Sequence, residues 1–276
     1  MSCVDGPGII ALVASFLHRR GANIIHSDQH STGPTGGRFF LRTEFHLPGI
    51  EDELGSLRRD FDAGVASALG ATFRLSDASV PVRVAIFVSR RDHCLVDLLW
   101  RARRGELPIE VVMVISNHHD LQAEVASFGV PFEVTPVAKA TKTHDERLQL
   151  DLIRGKVDLV VLARYMQILS GAFLSDVGVP VINIHHSFLP AFAGAGPYER
   201  AKERGVKLIG ATAHYATVDL DEGPIIEQDV VRVSHRDSVS QLSRRGADIE
   251  RTVLARAVEW HCQDRVLVHG RTTVVF

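Results

Sequence analysis

The rhythm of apolar and polar positions changes near residue 80. Before it, helical and strand spacings alternate over short stretches. Ile9, Leu12, Val13, Phe16 and Leu17 fall at i, i+3, i+4, i+7 and i+8, one face of a helix. Asn23 to His30 reads as a short strand, and Gly33 to Gly37 as a turn. Phe39, Leu41, Thr43, Phe45 and Leu47 alternate with Phe40, Arg42, Glu44 and His46, the pattern of a half-buried strand. Leu54, Leu57, Phe61, Val65 and Leu69 mark a second helix, Ala71 to Leu75 a further short strand, and Ser76 to Ser79 a linker. This predicts a small α+β domain over residues 1–78.

Residues 79–276 read differently. Val82 to Val88, Ile109 to Ile115, Leu159 to Ala163 and Val179 to Ile184 are nearly continuous apolar runs, as in parallel strands covered on both faces. Helical patterns lie between them, at Leu95, Leu98, Leu99 and Ala102, and over Leu148 to Ile153. The β-α alternation predicts a doubly wound, mostly parallel sheet. Beyond Gly210 the strands near Leu208–Tyr215 and Ile225–Val233 look antiparallel. Asp237 is the expected cap of a long helix with Leu242, Ile249, Val253, Ala257 and Trp260 as its apolar stripe.

Composition narrows the function classes. The chain has 276 residues, 45% apolar, with a net charge of -2. That balance gives no basis for a nucleic-acid backbone or an anionic membrane as partner. Cys3, Cys94 and Cys262 are far apart with no Cys-x-x-Cys spacing, so neither a disulfide framework nor a cysteine zinc site is expected. The apolar stretch Val157 to Leu169 is interrupted by Asp158, Arg164 and Gln167 and is too short for a bilayer. Met1 to Gly8 lacks a basic patch followed by an apolar run, so no secretory signal is read there and a cytoplasmic setting is expected.

The chemistry concentrates in two segments. One is Val181 to Pro190, an apolar strand ending in Asn183 and His185, which the period of two places on one face. The other is Ala213 to Pro224, carrying His214, Asp219 and Asp221 toward a Gly-Pro turn. An amide donor, an imidazole and a carboxylate are the parts needed to stabilise an oxyanion and move protons at a carbonyl carbon. Each has a plainer reading. Asn183 could satisfy strand-end backbone, His185 could be a buried structural histidine, and the carboxylates could be turn residues. His186 is expected on the opposite face, packing. His185, His214 and Asp221 could be drawn as a metal set, but no paired-histidine spacing supports one, and no metal is expected. His93 and Cys94 could form a nucleophilic pair, with core packing the default for Cys94.

Together these segments resemble the formyltetrahydrofolate deformylases over nearly the whole chain. The resemblance rests on Asn183-Ile-His-His-Ser-Phe-Leu-Pro-Ala-Phe192, Val161-Leu-Ala-Arg-Tyr-Met-Gln-Ile-Leu-Ser170, Ser116-Asn-His118, Glu227 to Asp237, and Asp221 two residues before Gly223. The amino-terminal part, with Asp5-Gly-Pro-Gly-Ile9 and Gly37 to Arg42, is similar to an ACT-type regulatory domain, though its first strand looks short. The fold implied is a ferredoxin-like ACT domain followed by a formyltransferase-type sheet.

The resemblance implies hydrolysis of 10-formyltetrahydrofolate to formate and tetrahydrofolate, in support of purine synthesis. It implies Asn183, His185 and Asp221 as the catalytic set, Asp221 being preferred to Asp219. A pterin slot would be formed by Met166, Gln167, Ile168 and Leu169 with Thr217, Val218 and Asp219. It implies no cofactor beyond the folate substrate, an amino-acid effector near Asp5, Gly8, Ile9 and Asn23, and a homo-oligomer.

Two departures matter. Ala193 and Gly196 stand where many relatives have lysines. Val88 to Cys94, where glycinamide ribonucleotide transformylases carry a Gly-rich phosphate loop, has no glycine. The alternatives are a formyltransferase using an amine acceptor and a non-catalytic folate- or amino-acid-binding regulator.

Overall fold

The computed structural model describes residues 1–33, 35–190 and 196–276. Pro34 of the turn, the motif residues Ala191 and Phe192, and Ala193, where relatives differ, lie outside them. The chain divides into two compact units. The first is Met1–Val80 with Asp264–His269 and Val274–Phe276, and the second is Pro81–Gln263 with Gly270–Thr273.

In the first unit, β1 (Ser2–Val4), β2 (Asn23–Ser31) and β3 (Arg38–His46) form an antiparallel sheet in the order β1-β3-β2. Helices α1 (Ile9–Arg19) and α2 (Ile50–Phe61) bury Val13, Phe16, Leu17 and Leu57 with Phe39 and Leu41 of β3 in one apolar core. Two expectations are corrected here. The second helix is not uniform: a π-helical turn, Asp62–Ala66, separates α2 from the short α3 (Ser67–Leu69). The strand expected over Ala71 to Leu75 reduces to a single bridge between Thr72 and Ser2.

Sequence reading missed the carboxyl-terminal part of this unit. Asp264 pairs with Arg74 at 3.1 Å and accepts from Ser76, and the His269 ring meets Phe40 edge-on at 5.6 Å. These contacts hold the chain end to the first sheet.

The second unit is a seven-stranded sheet in the order β10-β9-β8-β7-β4-β5-β6. Its strands are β4 (Val82–Val88), β5 (Ile109–Ser116), β6 (Phe132–Val134), β7 (Leu159–Leu162), β8 (Val181–His185), β9 (Leu208–Tyr215) and β10 (Ile225–Arg232). The five from β6 to β8 are parallel, and β9 and β10 add antiparallel pairs, as the change of pattern after Gly210 predicts. Ala85 and Phe87 of β4, Val160 and Leu162 of β7 and Phe173 are almost wholly buried in one cluster. The Phe87 ring meets Tyr165 and Phe173 edge-on at 5.4 and 6.0 Å.

Helices α4 (His93–Arg103), α5 (Gln122–Ala126), α6 (Lys142–Ile153), α7 (Gly171–Asp176), α8 (Pro197–Arg204) and α9 (Val239–Cys262) connect or cover the strands. The cap of α9 is Ser238, not Asp237. Ser238 accepts from the Gln241 amide while Gln241 accepts from the Ser238 amide, a capping box, and Asp237 instead accepts from the Ser234 amide. Gly196, described at φ 64, precedes Pro197 as the N-cap of α8.

The connections leaving β4 and β7 pass to opposite sides of the sheet, since β5 lies beyond β4 and β8 beyond β7. In such sheets the crevice for a ligand opens at the carboxyl ends of the strands flanking this switch.

Candidate active site

Backbone register brings the polar groups of the two motif segments together. β8 and β9 pair antiparallel with Asn183 opposite His214 and His185 opposite Thr212. The Asn183 and His185 side chains, on one face, therefore meet His214 across the ladder. The Asn183 amide nitrogen lies 3.2 Å from His214 Nε2. The other ring nitrogen, Nδ1, is 3.0 Å from the Tyr215 carbonyl oxygen. A carbonyl only accepts, so Nδ1 of His214 carries the proton and Nε2 accepts from Asn183. Burial lowers the basicity of His214 and keeps it neutral. His214 thereby sets which way the Asn183 amide faces, a role that the sequence reading did not assign.

The carboxylate arrives from the turn after β9. Asp221 Oδ1 is 3.2 Å from His185 Nδ1 and 3.8 Å from His214 Nε2. Asp221 adopts φ 58, the left-handed region disfavoured for a residue with a side chain. Gly223 explains how the turn closes, because a Cβ there would lie 1.7 Å from the Tyr215 carbonyl oxygen. The bond from His185 holds the Asp221 carboxyl below the usual range, against the opposing effect of partial burial. His185 is 7% exposed, and its Nε2 has no hydrogen-bond partner among the described residues. A buried imidazole with one nitrogen on a carboxylate and the other uncommitted suits a charge-stabilising donor.

The pterin-slot candidates fall on two loops. Met166 and Ile168 are more than half exposed, at 56% and 60%, and Val218 is 75% exposed, so their side chains are open to a ligand. Gln167 and Leu169 are half-buried, and Thr217 and Asp219 are exposed, the Asp219 carbonyl accepting from the Thr217 hydroxyl at 3.0 Å. A Cβ added to Gly171 would be 3.3 Å from a Val218 methyl, which places the 217–221 loop beside the end of the 166–169 loop. Leu162, by contrast, is core. The Met166 amide is anchored to Ser89 Oγ at 3.0 Å, and Ser89 donates to Asn117 at 2.7 Å, so the Ser116–His118 motif supports this loop from beneath.

His186 corrects an expectation. It does not face away from His185: the two rings stack with centroids 5.1 Å apart and 26° between planes. β8 ends at His185, so strand alternation stops before His186. Burial and the neighbouring Arg164 guanidinium push the His186 imidazole down to about 4.

Among the described residues, the group able to surround a metal ion is His93, Cys94 and Glu250, not the histidine-carboxylate set of the two motifs. Its members do not suit a cation. Burial raises the Cys94 thiol well above its ordinary value, which keeps it protonated and argues against a nucleophilic pair with His93. Glu250 is instead 3.4 Å from the Arg164 guanidinium.

In the first unit, Asp5 accepts from Ser31, Gly8 turns at φ 89 to start α1, and Ile9 is buried in the core. Asn23 is not gathered with them. It begins β2, whose other end, Ser31, meets Asp5, about 25 Å of extended chain away.

Comparison with known proteins agrees with this architecture. A family model described as formyl transferase matches residues 82–258. A Mycobacterium bovis protein named formyltetrahydrofolate deformylase is 63% identical over 276 residues, 100% of this chain and 89% of its own length. The crystal structure of a formyltetrahydrofolate deformylase from Pseudomonas syringae superposes with a TM-score of 0.94 at 45% identity, covering 100% of this chain and 92% of its own. Glycinamide ribonucleotide transformylase 1 from Symbiobacterium toebii gives 0.67 at 30% identity, covering 75% of this chain and 99% of its own. With full-length matches of this depth on one side and a transformylase match limited to part of the chain on the other, the chain belongs to the formyl transferase family and, within it, to the formyltetrahydrofolate deformylases.

Proposed function

We propose that the chain hydrolyses 10-formyltetrahydrofolate to formate and tetrahydrofolate, with Asn183, His185 and Asp221 as its catalytic residues. The observation that carries this reading is the convergence of an amide, an imidazole and a carboxylate at the end of β8, with Asp221 3.2 Å from His185. The formyl group on the folate nitrogen is an amide. Asp221, ionised at neutral pH, orients a water and takes its proton as oxygen bonds to the formyl carbon. Asn183 donates to the developing oxyanion, and His185, 3.2 Å from Asp221 through Nδ1, stands beside it. The carbon–nitrogen bond then breaks, the proton passes to the folate nitrogen, and formate leaves. A preorganised oxyanion donor supplies about 3–4 kcal/mol of barrier lowering. The 166–169 and 217–221 loops hold the pterin ring.

The first unit is assigned as an ACT-type regulatory domain, on its order of strands and helices and its likeness in sequence. Its amino-acid effector region is the Asp5–Ile9 turn, where Ile9 offers backbone only. A homo-oligomer, a cytoplasmic setting and formate supply to purine synthesis complete the proposal.

The test is formate release from 10-formyltetrahydrofolate by purified protein without any added acceptor, repeated with Asp221→Asn. Release that needs an amine would turn the assignment to a transferase. Full turnover by Asp221→Asn would remove Asp221 from the catalytic set.

A further inference from the structure

The ligand crevice of this sheet order opens where β4 and β7 end, and Arg164 stands there. Its carbonyl accepts from the Ser89 amide, just past β4, at 3.2 Å. It lies two residues beyond Leu162, whose register partner Asn183 lies two residues before His185. Arg164 adopts φ 64, a region that glycine enters freely and arginine does not. The backbone is held there with a long cationic side chain that is only 11% exposed.

That side chain belongs to a buried polar cluster. Glu250 of α9, 2% exposed, lies 3.4 Å from Arg164 Nε. One Glu250 oxygen accepts from Tyr198 of α8 at 2.8 Å, and the other bonds His93 Nε2, at the start of α4, at 2.7 Å. Gly246, one turn earlier on α9, makes room for Tyr198, since a Cβ there would lie 1.9 Å from the phenol oxygen. His186 links the cluster to the active site, its ring 6.3 Å from Tyr198 and 5.1 Å from His185. Although burial opposes ionisation, His93 and Arg164 keep Glu250 below its ordinary range, so the cluster contains a buried ion pair. Such pairs are poor sources of stability compared with apolar packing.

We propose that this cluster is a specificity determinant: His93, Arg164, Tyr198 and Glu250 occupy the ground beside the formyl carbon that a nucleophile larger than water would need. The inference rests on the deformylase reading above. Water and an amine attack the same carbon, and both reactions balance without a further reagent. With water, a carbon–oxygen bond forms, the carbon–nitrogen bond of the folate breaks, and water's proton passes to that nitrogen. With an amine, a carbon–nitrogen bond forms, the same bond breaks, and the amine's proton makes the same transfer, leaving a formamide. The choice therefore lies in the space around the carbon. The Arg164 guanidinium, its charge offset by Glu250 3.4 Å away, keeps Nε and Nη1 without hydrogen-bond partners among the described residues.

The test offers glycinamide to the parent and to Arg164→Gly/Glu250→Gln, a pair chosen so that neither charge is left buried alone. His93→Ala serves as a second variant, opening the cluster while leaving Glu250 paired with Arg164 and Tyr198. Products from 10-formyltetrahydrofolate are separated by mass. The parent yields formate, and folded variants yield formylglycinamide at a rate raised about tenfold or more. Formate as the sole formyl product from both folded variants overturns the inference. Absence of formate from the parent overturns the deformylase reading instead, so the two failures are distinguishable.

Discussion

On the β8–β9 side of the crevice, His185 keeps Nε2 without a partner among the described residues, and Asp221 sits on a strained turn. On the β4–β7 side, Glu250 spends both oxygens, on Tyr198 and His93, and closes over Arg164. Both sides use histidines, a carboxylate and a left-handed residue at a strand-end loop. One leaves an imidazole nitrogen uncommitted beside a carboxylate on a turn, and the other spends its carboxylate on a phenol and an imidazole while Arg164 Nε and Nη1 keep no hydrogen-bond partner among the described residues. Residue type alone does not separate the two sides; the difference lies in the carboxylate, which Asp221 presents from a turn and Glu250 buries at 2% exposure among helix side chains.

The comparison can be broken most forcefully from the β8–β9 side. Asp221→Asn keeps the shape but loses the negative charge, and kcat for formate release should fall by about a hundredfold to ten-thousandfold with an unchanged circular dichroism spectrum. Next comes Asn183→Ala, which removes the proposed oxyanion donor and should lower kcat by about a hundredfold to a thousandfold, read from initial rates at saturating folate. Gly223→Ala drives a methyl into the Tyr215 carbonyl. It should cost about 1–3 kcal/mol by urea midpoint and lower kcat as Asp221 is displaced.

The smallest effect sharpens the boundary between the two sides. The folded-state value of His186 lies near 4, below its ordinary 6.5. The unfolded chain therefore takes up this proton first as pH falls. The stability contribution is whole above pH 6.5 and drains away toward pH 4, with neutral His214 adding in the same direction. His186→Gln should flatten the melting temperature against pH across that window. An unchanged slope would show that His186 is not held neutral.

Much of this was legible from the chain. Unbroken runs such as Val82 to Val88 predict buried parallel strands, and β4 follows those bounds. Short motifs single out Asn183, His185 and Asp221, and the structure brings their side chains together around His214. Other features resisted for physical reasons. Arg164 reads as an interruption of an apolar stretch because its partner Glu250 lies far away on α9. The stacking of His186 depends on where β8 stops, and strand ends are set by tertiary pairing. The single bridge at Thr72 shows the same limit: an alternating run makes a strand only where a neighbour supplies its ladder.

The pairing of Asn183 with His214 has a consequence during synthesis. The amide and the imidazole that orients it share one rung of the ladder yet are separated by 31 positions of chain, with Asp221 later still. A nascent polypeptide that has already completed β4 to β8 possesses the whole parallel layer and no competent centre. On the proposed assignment, formyl chemistry begins only after the return strand has emerged from the ribosome and docked, so truncated products that retain the layer would be inert toward the folate pool.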